Sequence, residues 1–412
     1  MWPNMKQYIL TVLLALLYFL PARAQLQFSD SLRISLLTCS AGPDVYERFG
    51  HAGLRVLDLR DPQMDVTFHY GVFSFNAPNF IYRFVKGETD YQLGALYTQY
   101  FIQDYSNRGL TMTEQWLRLD SAQCQAIVSR LLINYLPENR TYRYSYFFDN
   151  CSTRPYHLIN DATEHSIAYD TTWCKEITLR EMVQEKTGTS NWLDFGIALA
   201  VANRSDVPAT FEEQLFLPEY LSRAVDNAQI PVRIGEGLWM EPLVAKTDTL
   251  LMMRPDVRQA IDAEDPIRPN TVFALLLLAA LLLTAWEWRI QRHTVVSNIF
   301  DTLLLAFLGV TGVIVWFLNF ISLHPAVDHN VNCFWLLPTH LIAAILIWIR
   351  SCRRICVIYF GITFALIIVY VISAWITDQY CPSAFILLLA IILLRCYSRC
   401  SIDTSKNISN IR

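Results

Sequence analysis

Two short words about a hundred positions apart hold the residues of this chain that could do chemistry together. One is Arg48-Phe49-Gly50-His51-Ala52-Gly53-Leu54-Arg55-Val56, which puts a histidine at the mouth of an expected β-strand. The other is Phe148-Asp149-Asn150-Cys151-Ser152-Thr153-Arg154-Pro155, which puts a cysteine where a strand gives way to a helix. A thiol and an imidazole so placed are the parts of a nucleophile and its base. A free thiol has a pKa near 8.5, so about 3% is thiolate at pH 7. A helix N-terminus and a neighbouring imidazolium both stabilise the thiolate. A fall of about two units is worth about 2.7 kcal/mol and brings the thiolate to about three quarters of the population.

Such a pair needs a third group to orient the imidazole. His69 lies on the strand after the one His51 introduces, and Asn76 and Asp65 compete for the role. The Asn150 amide is placed to donate to an oxyanion, whereas an inward Asp149 carboxylate would oppose the thiolate. The bland alternatives are a turn histidine at 51, a strand histidine at 69 and a buried structural cysteine at 151.

The elements that must position these groups follow from periodicity and punctuation. Residues 32–39, 54–59, 66–73, 91–97 and 141–148 alternate or carry β-formers and read as strands. Residues 45–49 form a short helical piece after the turn at Gly42-Pro43-Asp44, and 79–85 a helix ended by Gly87. Residues 99–105 are ambiguous. The clearest soluble helix is 121–135, capped by Asp120 or Ser121 and stopped by Pro137. Cys151 opens the next one, and 211–228 is helical with Pro218 interrupting it. A few antiparallel strands with flanking helices make an α+β domain.

The chain ends set the compartment. Residues 1–24 read as a cleaved signal peptide, with Lys6, the apolar core 8–20 and Ala22-Arg23-Ala24 before the cut. Five apolar runs lie at 271–288, 299–322, 331–349, 355–376 and 383–394, where about 20 helical residues span a bilayer core. Arg289 and Arg292, then Arg350, Arg353 and Arg354, then Arg395, Arg399 and Lys406 follow alternate runs, while 323–330 and 377–382 hold no Lys or Arg. The arginine loops are therefore cytoplasmic and the N-terminal domain lies outside. The expected organisation is signal peptide 1–24, exported domain 25–244 with an accessory part after about 190, hinge 245–270, five-helix membrane domain 271–397 and tail 398–412.

The net charge of −4 and the lack of a basic run argue against a nucleic-acid partner. Of ten cysteines, Cys39, Cys124, Cys151 and Cys174 are exported, at spacings that match no small disulfide scaffold; Cys333 and Cys381 could pair at the outer ends of their spans. No cofactor motif and no convincing metal spacing appear in the exported domain. The outer run His324-Pro325-Ala326-Val327-Asp328-His329-Asn330 could bind a head group or a metal, or simply lie at the interface.

The words Cys39-Ser40-Ala41-Gly42-Pro43-Asp44-Val45-Tyr46, Arg48-Phe49-Gly50-His51, Tyr70-Gly71-Val72-Phe73-Ser74-Phe75-Asn76, Phe84-Val85-Lys86-Gly87-Glu88-Thr89-Asp90-Tyr91 and Asp149-Asn150-Cys151-Ser152-Thr153-Arg154 resemble the Lnb N-terminal periplasmic domain family of Bacteroidetes. The resemblance runs from about Leu32 to Ala228, and residues 324–332 resemble the membrane part of such proteins. It implies a circularly permuted papain-like fold, similar to the NlpC and lecithin:retinol acyltransferase groups, in which histidine precedes cysteine. It further implies a lipoprotein N-acyltransferase in the bacterial inner membrane, with a phospholipid acyl donor and a diacylated lipoprotein acceptor. Cys151 then corresponds to the nucleophile, His51 to its base and His69 to the orienting residue. Asn150, Arg154, Tyr46, His324 and His329 are the candidates for substrate or oxyanion contacts. The rival readings are a membrane-tethered cysteine peptidase or amidase acting on cell-wall peptides, and a non-enzymatic lipid or lipoprotein binder.

Overall fold

The computed structural model of the protein describes residues 31–409 except Ala77. The expected signal peptide lies outside the described residues. The N-terminal part is α+β, built on a seven-stranded sheet of order β10-β5-β1-β2-β3-β4-β6. The strands are β1 (Leu32–Cys39), β2 (His51–Asp58), β3 (Asp61–Val72), β4 (Asp90–Tyr97), β5 (Met112–Leu117), β6 (Thr141–Arg143) and β10 (Val244–Leu251). The strands β7 (Ala168–Tyr169), β8 (Ala228–Ile234) and β9 (Gly237–Pro242) form a separate small sheet. Neighbouring strands of the large sheet pair antiparallel throughout.

β1 is central and covered on both faces, so it reads as a nearly continuous apolar run. Ile34 and Leu36 face a core shared with Ile127, Val128 and Leu131 of α3 (Ser121–Tyr135) and with Ile159 of α4 (Thr153–Ala162). Each such side chain contributes about 1.5–3 kcal/mol through burial. α3 starts at Asp120 because Asp120 and Gln123 close a reciprocal capping box. Leu37 and Cys39 face the other way, onto Phe101 and Tyr105 of α2 (Thr98–Arg108). The short α1 (Phe80–Lys86) ends at Gly87, whose φ of 79° suits a left-handed cap.

Several expectations need correction. The ambiguous stretch at 99–105 is helix, because its apolar residues recur at helical spacing against β1. The β5 strand was not legible: its inward residues include Glu114 and Gln115, which are buried through side-chain partners rather than through apolarity. The 141–148 strand stops at Arg143, and the chain then turns tightly, with Ser145 and Asp149 bridged. Residues 244–251 are no hinge; they are an edge strand of the sheet, and a helix at Pro255–Asp262 follows. All ten cysteines are free, including Cys333 and Cys381.

The C-terminal part is helical. Among the described residues four helices are long and apolar enough to cross a membrane: α5 (Pro269–Ile290), α6 (Val295–Phe320), a span Arg350–Ile376 that contains α7 (Arg353–Ile376), and the span Ser383–Ile402 of α8 (Ser383–Ser409). The expected third run, 331–349, is no long helix. It holds a 3-10 turn at Val331–Phe334 and a seven-residue helix at His340–Leu346. Pro338 interrupts it, having no N–H to donate. This broken segment runs antiparallel along α6, with Cys333 at Trp316, Leu336 at Gly312, Leu341 at Gly309 and Trp348 at Thr302. A Cβ on Gly312 would stand 2.8 Å from the Leu336 carbonyl oxygen, so the glycine admits the non-helical backbone. Residues 398–409 continue α8 instead of forming a loose tail.

The two parts are joined by hydrogen bonds. Ala202 N donates to Ala326 O, and Asn330 and Asn332 donate their amides to the carbonyls of Leu199 and Ala198. The 323–332 segment is therefore seated against the α+β part.

Candidate active site

β2 and β3 bring the two histidines together. Cys39 pairs with His51 across β1 and β2, and the β2–β3 register running from Leu54 opposite Phe68 puts His51 and His69 diagonally on one face. Their rings meet edge to face, with His51 Nε2 3.0 Å from His69 Nδ1. Phe101 of α2 covers both imidazoles. Two glycines make the room. Gly94 lies opposite His69 on β4, where a Cβ would come within 2.9 Å of His69 Nε2. Gly71, with φ of 93°, sits in the irregular stretch of β3 after His69, and a Cβ there would meet Tyr144 at 3.6 Å and His51 Cε1 at 4.0 Å.

Cys151 stands just before α4, which starts at Thr153 and not at the cysteine. Its sulfur meets the backbone N–H of Ala52, the residue after His51, and its own N–H. The thiol and the imidazole pair thus occupy the same end of the sheet. The Ser152 hydroxyl lies beside the sulfur yet meets no partner at hydrogen-bonding geometry among the described residues. The Tyr142 and Tyr146 hydroxyls, which also feel a charge on Cys151, are likewise buried and unpartnered there.

Electrostatics at the site run against the expected thiolate. Burial pushes the Cys151 thiol up to about 11, despite the N–H groups and the Ser152 hydroxyl that pull it down. Burial also drives His51 down to about 3, helped by His69 and Arg108, and drives His69 down to about 4 against the pull of Asp104. Desolvation outweighs the helix terminus because both the ion and its would-be counter-ion are out of water. Both shifts favour the neutral forms, a protonated thiol and an uncharged imidazole.

Other expected contacts are placed differently. Asn150 is the keystone of the turn, not an oxyanion donor. Its Oδ1 accepts from the Ser152 and Thr153 N–H groups, and its Nδ2 donates to the Tyr146 and Phe216 carbonyls at 2.8 Å each. Arg154 is held by both oxygens of Asp149 and lies over the Tyr142 ring at 3.6 Å, so neither charge is offered to the sulfur. Tyr46 is exposed, donates to Asp44 and touches the Phe75 edge. His324 binds the Phe84 carbonyl, whereas His329 is exposed beside Asp328. Of the competitors for the third position, Asp65 is bidentate to Arg55 and Asn76 is an exposed turn residue. Among the described residues no cluster of three His, Cys, Asp or Glu side chains is arranged to hold a metal ion.

Sequence reasoning missed Gly94, Ser152 and Phe101. Gly94 carried a usable signal, since a lone glycine inside a strand marks a close approach. A cavity of about 370 Å³ is lined by Cys39, Phe49, Gly50, Met253 and Ile261 among others, but by neither Cys151 nor the two histidines.

Residues 22–205 match the family of the Lnb N-terminal periplasmic domain, and residues 261–407 match the Lnb transmembrane domain. No curated protein and no solved structure matches the chain.

Proposed function

Since the chain belongs to the Lnb family, a membrane protein with a periplasmic domain, we propose that it is a lipoprotein N-acyltransferase of the bacterial inner membrane. It moves an acyl chain from a phospholipid, through a Cys151 thioester, to the α-amine of a diacylglyceryl-cysteine lipoprotein. The observation that carries this reading is the convergence of Cys151, His51 and His69 at one end of the sheet, in an α+β part whose residues 198–202 are hydrogen-bonded to an apolar helical bundle. Both substrates are anchored in the outer leaflet, and holding the thiol at that surface raises their effective concentration. The strand-borne histidines that precede a cysteine just before a helix support a permuted papain-like arrangement. The alternating arginine loops support a multi-pass topology with the α+β part in the periplasm.

The protonation states dictate the order of events. His51 Nε2 is engaged by His69, which leaves Nδ1 for the thiol. As the sulfur attacks the ester carbonyl, its proton passes to His51 Nδ1, so the buried thiolate never stands alone. His51 Nε2–H then donates to His69, a bond that strengthens once His51 is charged. The Cys151 N–H and the Ser152 hydroxyl are the donors for the oxyanion. Collapse breaks the ester C–O bond, and His51 returns the proton to the departing lysophospholipid alkoxide. The lipoprotein amine next attacks the thioester. His51 takes one amine proton and returns it to the sulfur as the amide forms.

The test is the mass of the N-terminal lipopeptide of a reporter lipoprotein, in cells that lack their own N-acyltransferase. One extra acyl chain with the wild type, absent with Cys151→Ala, is the expected result. A diacyl mass in both, with the protein present in the membrane, overturns the reading and favours hydrolysis of cell-wall peptides at the same thiol.

A further inference from the structure

α1 is an amphipathic element with an apolar face left uncovered. Phe75, Ile81, Tyr82 and Phe84 are exposed, Ile81 by 77%. Its polar residues turn back to the domain, where Arg83 pairs with Asp90 and Lys86 with Glu88. Large apolar patches on a protein surface mark contacts with protein or membrane.

The position of α1 says which. It packs on the domain-proximal end of α6: the Tyr82 ring meets Phe317 at 6.2 Å, Ser322 Oγ donates to Val85 O, and Leu323 N donates to Lys86 O at 2.8 Å. His324 adds a bond to Phe84 O. The contact is backbone-close, since a Cβ on Gly87 would stand 2.7 Å from His324 N. α6 has 26 residues. At about 1.5 Å each it is about 39 Å long, more than the hydrocarbon thickness of about 30 Å. Phe317 is within a turn of its end, which puts α1 at the depth of the head groups and upper acyl chains. Phe320, Ile321 and Leu323, exposed beside it, extend the same apolar surface.

From this surface a series of rings leads to His51. Phe80 of α1 stacks on Phe73, Phe73 on Tyr91 at 4.9 Å, and Tyr91 meets Tyr144 at 4.5 Å. Tyr144 packs above Gly71 beside His51.

We propose that α1 and the loop before it are an interfacial platform that inserts into the outer leaflet and brings a phospholipid acyl ester along this aromatic path to Cys151. The insertion stands on the packing of α1 against α6; the delivery of an ester rests on the acyltransferase reading. An element of this kind lies in the interface plane with its apolar face among the acyl chains.

The experiment uses the full-length protein in phosphatidylethanolamine/phosphatidylglycerol vesicles, with the photoreactive residue p-benzoylphenylalanine in place of Ile81. The control carries it in place of Leu59, which is also well exposed, by 59%, but lies on the turn at the opposite end of β2. After irradiation, mass spectrometry should find phospholipid adducts at position 81 at least about tenfold above those at position 59. Equal adduct levels at the two positions overturn the proposal. Transfer activity in the wild type is measured in parallel. Adducts at 81 without any wild-type transfer keep the platform and remove the acyltransferase reading. Transfer without adducts at 81 removes the platform alone.

Discussion

His51 and His69 share a 3.0 Å contact between Nε2 and Nδ1, and no carboxylate takes the third position. A neutral imidazole can accept a hydrogen bond from His51 without fixing a proton on it in advance. That suits a base that must be neutral at rest and cationic only during transfer. Substituting His69 tests the arrangement. His69→Gln, whose carbonyl can still accept, should lower kcat/KM by about tenfold, and His69→Phe by about a hundredfold or more, with unchanged thermal unfolding at pH 7.5. Equal losses in both would mean that His69 contributes bulk and no hydrogen bond.

Gly94 is the second handle on the same ring. A Cβ there would press on His69 Nε2 at 2.9 Å and on Val72 Cγ2 at 2.7 Å. Gly94→Ala should cost about 1–3 kcal/mol through overpacking and displace His69, so activity should fall more than stability predicts. Combining it with His69→Phe should give less than the product of the two losses, because both act through one contact. A full product would place the effect of Gly94 elsewhere.

The titration of Cys151 separates the neutral pair from the ion pair. With its pKa near 11, iodoacetamide labelling of Cys151, read by peptide mass, should climb through pH 9 to 11 with no step between 6 and 8. A step below pH 8 would mean that thiolate and imidazolium form at rest.

The same shifts set stability against pH. His51 and His69 sit at about 3 and about 4 when folded and near 6.5 when unfolded. What they contribute is fully present above about 6.5 and is lost as pH falls toward 4 and 3. Cys151 has the opposite sign: from an ordinary 9.0 it rises to about 11, so its contribution is present below 9 and lost as pH climbs through 11. Relative to wild type, His69→Phe should unfold less readily between pH 6 and 4 than it does at pH 7.5. Parallel melting curves across that range would contradict the assignment.

Asn150 should matter for folding rather than for the oxyanion. Asn150→Ala strands the Tyr146 and Phe216 carbonyls and two N–H groups, all in a site where the residue is 3% exposed. Each stranded group costs about 1–3 kcal/mol. The melting temperature of the full chain should drop by several degrees or the protein should fail to accumulate. A stable, inactive Asn150→Ala would restore the oxyanion role.

In the bundle, Arg395 is bidentate to Asp301 and also reaches Glu287 and Thr284, all buried. Arg395→Met leaves two carboxylates without this partner and should destabilise by about 3–5 kcal/mol, read as lost thermal resistance in detergent. Removing Asp301 and Arg395 together should cost less than removing Arg395 alone. If the double variant is the worse one, the cluster is not a balanced ion pair.

What the sequence by itself determined here is local. The strands β1 to β4, the capped helix 121–135 and the long apolar spans follow from periodicity and punctuation that neighbouring residues carry in full. Cys151 and His51 were legible because each sits in a word with a turn beside it. Tertiary structure decided what depends on distant groups. β5 is strand although Glu114 faces inward, because Ser35 and Arg55 from other strands satisfy that carboxylate. The edge strand 244–251 exists because β5 offers it an open ladder. The third apolar run breaks at Pro338, and Gly309 and Gly312 of α6 let its non-helical backbone lie close. The charge state at the site is the clearest case: helix position argued for a thiolate, and only the packed surroundings, by excluding water from both Cys151 and His51, reversed it.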